Sequence, residues 1–198
     1  MSLRKWKNEF KKREFISLIK AVANKNMLYF NYTKKPFLIE TKLPDKVLMS
    51  FCVMGKSTFI TYDYAKFKRV MGQYEYNAQY VYAVQCMAHE MRHYYQHRQI
   101  TAESPIEDKK TISNWKKNKI LRASGMKKTK NYEYWFSSRE LDANLYSYIF
   151  ALEHVESASL DTIVSKEHFK ALEKLYKESG GKNSKKYFPN KIKKLLEE

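Results

Sequence analysis

The segment Ala88-His89-Glu90-Met91-Arg92-His93 contains the pattern H-E-x-x-H. On a helix, residues four apart share a face about one turn apart, so the imidazoles of His89 and His93 can hold one metal ion between them. Glu90 is turned by about one hundred degrees from His89. Its carboxylate can therefore reach a water beside the ion without ligating it. Hydrolysis by metal-activated water, with Glu90 as general base, is the chemistry these residue types can do at this spacing. It requires a helix around the pattern and a third protein ligand elsewhere in the chain.

The helix is legible in the flanking residues. Asn77 can cap a helix running to about Ile100, along which Tyr80 or Val81, Val84, Met87 or Ala88, Met91 and Tyr95 recur at helical spacing. For the third ligand, His97 lies one turn beyond His93 but has drifted about eighty degrees from the line of His89. A metzincin pattern is excluded, because Gln96 and Gln99 stand where that clan carries glycine and histidine. Cys52 and Cys86 sit in apolar surroundings without C-x-x-C spacing and read as core thiols in a reducing compartment. The remaining candidates are acidic residues on another helix, and Ser138-Arg139-Glu140-Leu141-Asp142-Ala143-Asn144 supplies them.

This second segment resembles the E-x-x-A-D/N motif of gluzincin-type metallopeptidases. Similar segments occur in ImmA/IrrE-like peptidases and in the prenyl-protein peptidase group. The resemblance implies Glu140 as the third zinc ligand and Asn144 as the residue that supports a motif histidine. Residues i and i+4 of one helix share a face, so both roles can come from one turn. Asp142 points to another face and is the alternative ligand. The chain departs from the ImmA-like pattern after Asn144, where Leu-Tyr-Ser-Tyr replaces Leu-Met-Pro, and no subfamily is assigned.

The rest of the chain must position these two helices. Its 198 residues, 43% hydrophobic and 15% aromatic, suffice for one folded domain over 1–198. A basic amphipathic helix is expected over 4–24, and short strands over Leu28–Tyr32 and Phe37–Glu40. Val47–Met54 and Ser57–Tyr64 read as a hairpin turning at Gly55-Lys56. Residues 58–64, if exposed beside the motif helix, form a candidate rail for an extended peptide; an ordinary sheet strand is the plainer reading. The expected fold is α+β, with a small, mainly antiparallel sheet packed on two zinc-bearing helices.

Residues 101–131 form a basic, partly helical insertion anchored by Ile112 and Trp115. Ser137 or Ser138 can cap the helix that carries Glu140, which runs to about Val155. A further helix is expected from Ser165 to before Gly180-Gly181, followed by a basic extension over 182–198.

Charge adds a second theme. Thirty-eight Lys and Arg against 21 Asp and Glu give a net charge of +17, a field that attracts polyanions and permits weak nucleic-acid binding. The charged N-terminus lacks a secretory h-region, and the longest apolar run, near 47–54, is too short to span a bilayer. A cytoplasmic protein without integral membrane association is the expectation. The leading functional expectation is a zinc peptidase acting on a peptide or protein substrate, in which Arg139, Tyr132, Tyr134 and His154 are candidate donors to the oxyanion of the transition state. Its rival is a basic nucleic-acid-binding or regulatory protein with a structural or vestigial zinc site.

Overall fold

Seven consecutive residues, Glu90 to Gln96, are buried in the computed structural model, which describes residues 10–117, 137–156, 158 and 170. A helix can bury every side only if other elements surround it. This helix, Tyr76–Thr101, is the axis of the fold. The other helices among the described residues are Lys12–Phe30, Tyr64–Met71, Lys109–Lys117 and Ser138–His154. We number them in chain order, so the motif helix is α3 and the helix of Glu140 is α5. The strands are β1 (Phe37–Glu40), β2 (Met49–Met54) and β3 (Ser57–Tyr62).

Helix α1 opens with the Glu14 carboxylate accepting from the Lys11 N–H at 3.0 Å, and buries Phe15, Leu18, Ile19, Val22, Ala23, Met27 and Phe30. The expected strand over Leu28–Tyr32 is instead its last turn and cap. Met27 and Phe30 continue the buried stripe, which outweighs the strand preference of Leu28-Tyr29-Phe30. Asn31 then ends the helix in the left-handed region at φ 55°, donating to the Leu28 carbonyl.

The sheet is mixed rather than mainly antiparallel. Its order is β1-β3-β2, with β1 parallel and β2 antiparallel to β3. The hairpin turns at Gly55, whose φ of 59° is open to glycine at no steric cost. Because β3 is central, its backbone is paired on both sides, so the candidate peptide rail at 58–64 is not an edge and the plainer reading, an ordinary sheet strand, holds. The open edge nearest the motif helix belongs to β2. Chain after Tyr62 does not continue the strand: the Asp63 carboxylate accepts from the Lys66 N–H at 2.9 Å and starts α2.

Helix α3 begins one residue before the expected cap Asn77, with Glu75 in the cap position. Helix α5 packs along it in the opposite direction, since Gln96 meets Asp142 while Tyr76 and Tyr80 lie near His154. Ser137 caps α5, its hydroxyl oxygen accepting from the Glu140 N–H at 3.4 Å. Within the basic insertion, α4 forms as expected around buried Ile112 and Trp115. It fixes the start of α5 through the Ser138 hydroxyl, which donates to the Asn114 carbonyl. Tyr132, Tyr134, the extension 182–198 and, apart from Lys170, the helix expected from Ser165 lie outside the described residues. No helix among the described residues is long and apolar enough to cross a membrane.

Candidate metal centre

His89 and His93 stand on one face of α3 with their Nε2 atoms 3.0 Å apart. Helix α5 brings Glu140 against both: Oε2 is 3.3 Å from His89 Nε2, and Oε1 is 3.3 Å from His93 Nε2. Ligand bonds of about 2.0–2.2 Å at tetrahedral angles put donor atoms about 3.3–3.6 Å apart. The three side chains therefore have nearly the spacing that one zinc ion requires.

The protonation pattern supports the same fit. Gln96 directs its amide nitrogen to the Arg139 carbonyl at 2.9 Å and to Asp142 Oδ2 at 2.7 Å, so its oxygen is left to face His93 Nδ1 at 2.9 Å. His93 Nδ1 must then carry the proton and donate. Its Nε2 lone pair is thereby aimed at His89 and Glu140. Glu140 Oε2 is buried, and its nearest polar neighbour is His89 Nε2 at 3.3 Å. Two imidazole nitrogens and two carboxylate oxygens thus converge on one point, where each imidazole can either donate to Glu140 or give its lone pair to a cation.

The electrostatics of the metal-free cluster follow. Burial works against an ionised Glu140, but close contact with His89 and His93 outweighs it and holds the carboxyl well below the usual carboxylate range. Burial also works against a charged His93, yet Glu140, with help from Glu90 and Gln96, raises this imidazole above its ordinary value.

Asp142 is not a ligand. It pairs with the fully buried Arg92, accepting from Nε at 2.7 Å and from one terminal nitrogen at 2.9 Å. The Arg92 guanidinium also lies over the rings of Tyr95, Trp115 and Tyr146, which makes it the joint between α3, α4 and α5. Asn144 does not take its expected role. Among the described residues its side chain makes no hydrogen bond to either histidine, and its carbonyl accepts from Ser147. Gln96 does that work from the motif helix itself. Sequence reasoning passed over Arg92 and Gln96, although a charged residue inside H-E-x-x-H on a helix with apolar flanks is a signal that something must pair with it.

Beside the three donors, Glu90 Oε2 accepts from the Phe51 N–H at 2.7 Å. The bond joins the motif helix to the open edge of β2. A pocket of about 240 Å³ lies here, lined by Glu90, His93, Glu140 and Arg139 and by Met49 and Phe51 of the strand. Of the expected oxyanion donors, Arg139 is placed in this pocket. His154 is not: it sits about four turns further along α5, roughly 20 Å away along the axis, against Phe150 and Glu153. His97 lies at the rim, 5.8 Å from the Phe51 ring, and burial and Arg139 lower its imidazole. Burial and the charge of Glu90 push the Cys86 thiol up to about 12, which makes it an inert thiol and a poor ligand.

Comparison with family models, with curated proteins and with solved structures returns no match.

Proposed function

We propose that this chain is a zinc-dependent peptidase of gluzincin type, with His89, His93 and Glu140 as metal ligands and Glu90 as general base. The observation that carries the reading is the convergence of three metal-ligating side chains at zinc-like spacing, with a fourth, non-ligating carboxylate held beside them. A purely structural zinc site has no use for that carboxylate. When bound, zinc supplies Lewis acidity, lowering the pKa of water and polarising a carbonyl.

Glu90 takes the proton from the attacking water and delivers it to the leaving amine. The Phe51 N–H keeps one oxygen of Glu90 in place, which leaves the other for the water. The open edge of β2, rather than residues 58–64, offers backbone groups to an extended peptide by strand addition. Helices α3 and α5 keep the ligands in register because Arg92 and Asp142 lock them together.

The test is metal content and hydrolysis of a broad peptide library by the wild type, by Glu90→Gln and by chelated protein. One zinc per chain and cleavage abolished in both controls support the proposal. Zinc-independent polyanion affinity, with no cleavage by the wild type, returns the function to the basic binding module that the net charge of +17 permits.

A further inference from the structure

The pocket contains a cation whose guanidinium has more than one possible task, the oxyanion among them. Arg139 precedes the ligand Glu140 and lines the pocket with Glu90 and His93. Its Nε is shut off from solvent and meets no acceptor. No carboxylate pairs with the guanidinium of this half-buried arginine among the described residues, whereas the fully buried Arg92 nearby holds Asp142 in a two-pronged ion pair. The backbone of Arg139 is fixed, because its carbonyl accepts from Gln96, the residue that orients His93. The side chain therefore starts from a fixed point on α5 at the pocket wall.

Counting charge across the pocket shows what is missing. With a divalent ion bound, its two positive charges and that of Arg139 would face two negative charges from Glu90 and Glu140, with the histidine ligands neutral. One positive charge is left for the ligand to balance. A guanidinium presents planar paired donors that match a carboxylate, and such charge-assisted bonds are the strong ones. Met49 and Phe51 line the same pocket, so a bound anion there is partly desolvated and its attraction to Arg139 is less screened than at the surface.

We infer that Arg139 anchors a carboxylate of the substrate beside the cleaved bond, so that this site selects peptides carrying either an acidic side chain or a free chain terminus at that position. The inference rests on the hydrolytic reading for its location, but not for its measurement. The alternative task for the same guanidinium, stabilising the oxyanion, acts on every peptide alike and predicts no preference for acids.

The experiment uses zinc-loaded Glu90→Gln protein, which binds without turnover, and titrates it calorimetrically with four versions of one short peptide: Glu or Gln beside the central bond, each with a free or amidated C-terminus. At least one carboxylate is expected to tighten binding by about tenfold or more, as for a hydrogen-bonded charge. The arm that does so identifies its source. Adding Arg139→Gln should erase the difference between acid and amide, and Arg139→Lys should restore part of it, with melting curves reporting that each variant is folded.

Equal binding of all four peptides, or a preference that survives Arg139→Gln, overturns the inference. So does a wild-type background in which Arg139→Gln lowers kcat equally for acidic and neutral peptides without changing their KM ratio, because that is the oxyanion signature. A carboxylate preference that depends on Arg139 in a protein that cleaves nothing sustains the anchor and removes the peptidase reading alone.

Discussion

The backbone N–H of Phe51 donates to Glu90 Oε2 at 2.7 Å, so the carboxylate proposed as general base is held by the open edge of the sheet and not by another side chain. A carboxylate that accepts a backbone N–H is fixed in direction, and a base must be within reach of its proton before its pKa matters. Phe51 projects its N–H away from β3, so proline can replace it at an edge without breaking a ladder bond. Phe51→Pro is expected to lower kcat by about tenfold or more relative to Phe51→Ala, the size of one hydrogen bond to a charged group, with zinc content unchanged. The alanine variant removes the ring contacts with Tyr94 and His97 and keeps the N–H, so the difference between the two isolates the bond. Equal kcat in the two variants would count against it.

Gln96 fixes which nitrogen of His93 carries the proton. Loss of such a supporting hydrogen bond typically costs about 10–100-fold in metal affinity. Gln96→Met should show a loss of that order in a competitive chelator titration, whereas Asn144→Ala should leave zinc affinity where it was. The reverse ranking would restore the role that the E-x-x-A-D/N resemblance assigned to Asn144.

These assignments mark where the sequence is informative. The pairing of His89 with His93 is local, set by helix geometry over four residues, and so it was readable before any fold was known. Glu140 was reachable only through the resemblance, because the packing of α5 on α3 is a contact across 47 residues. Gln96 was hidden by its ordinary chemistry: an amide becomes a positioning group only when Asp142 and the Arg139 carbonyl fix its orientation. The Phe51 contribution comes from the backbone, which side-chain patterns do not report. The candidate rail at 58–64 fails for a related reason. Residues 58–64 alternate as a half-exposed strand does, but alternation reports the faces of a strand and says nothing of which of its edges is paired. At Leu28–Tyr32, local strand preference pointed one way and burial of Met27 and Phe30 the other; burial prevailed.

Arg92 and Asp142 form the buried ion pair that joins α3 and α5. Removing one partner leaves the other charged and desolvated, which costs about 3–5 kcal/mol. Arg92→Met should therefore destabilise the metal-free protein by that amount in urea denaturation, and it also removes the stacking on Tyr95, Trp115 and Tyr146. The double variant Arg92→Met with Asp142→Leu should recover part of the loss, because no unpaired charge remains. If the double variant is as unstable as the sum of the two single changes, the pair is not acting as a unit.

The ligand cluster also sets how stability depends on pH, with opposite trends in the metal-free and zinc-loaded protein. In the metal-free protein the pKa of His93 is raised, so its contribution is complete below the ordinary imidazole value of 6.5 and is lost as pH rises through the higher folded value. The carboxyl of Glu140 is depressed, so its contribution is complete above the ordinary value of 4.5 and is lost as pH falls through the lower folded one. Both are present together only between those ordinary values, in mildly acidic solution. Zinc binding reverses the upper limit, because the imidazoles must give up their protons to ligate and metal affinity therefore grows with pH. Chelated protein is expected to lose its share of stability from His93 toward alkaline pH, while the rise in melting temperature on adding excess zinc should be larger at about pH 7.5 than at about pH 5.5. Thermal melts at both pH values, with and without zinc, measure this directly, and a zinc-induced shift of the same size at both would show that the imidazoles of His89 and His93 are not the groups that bind the metal.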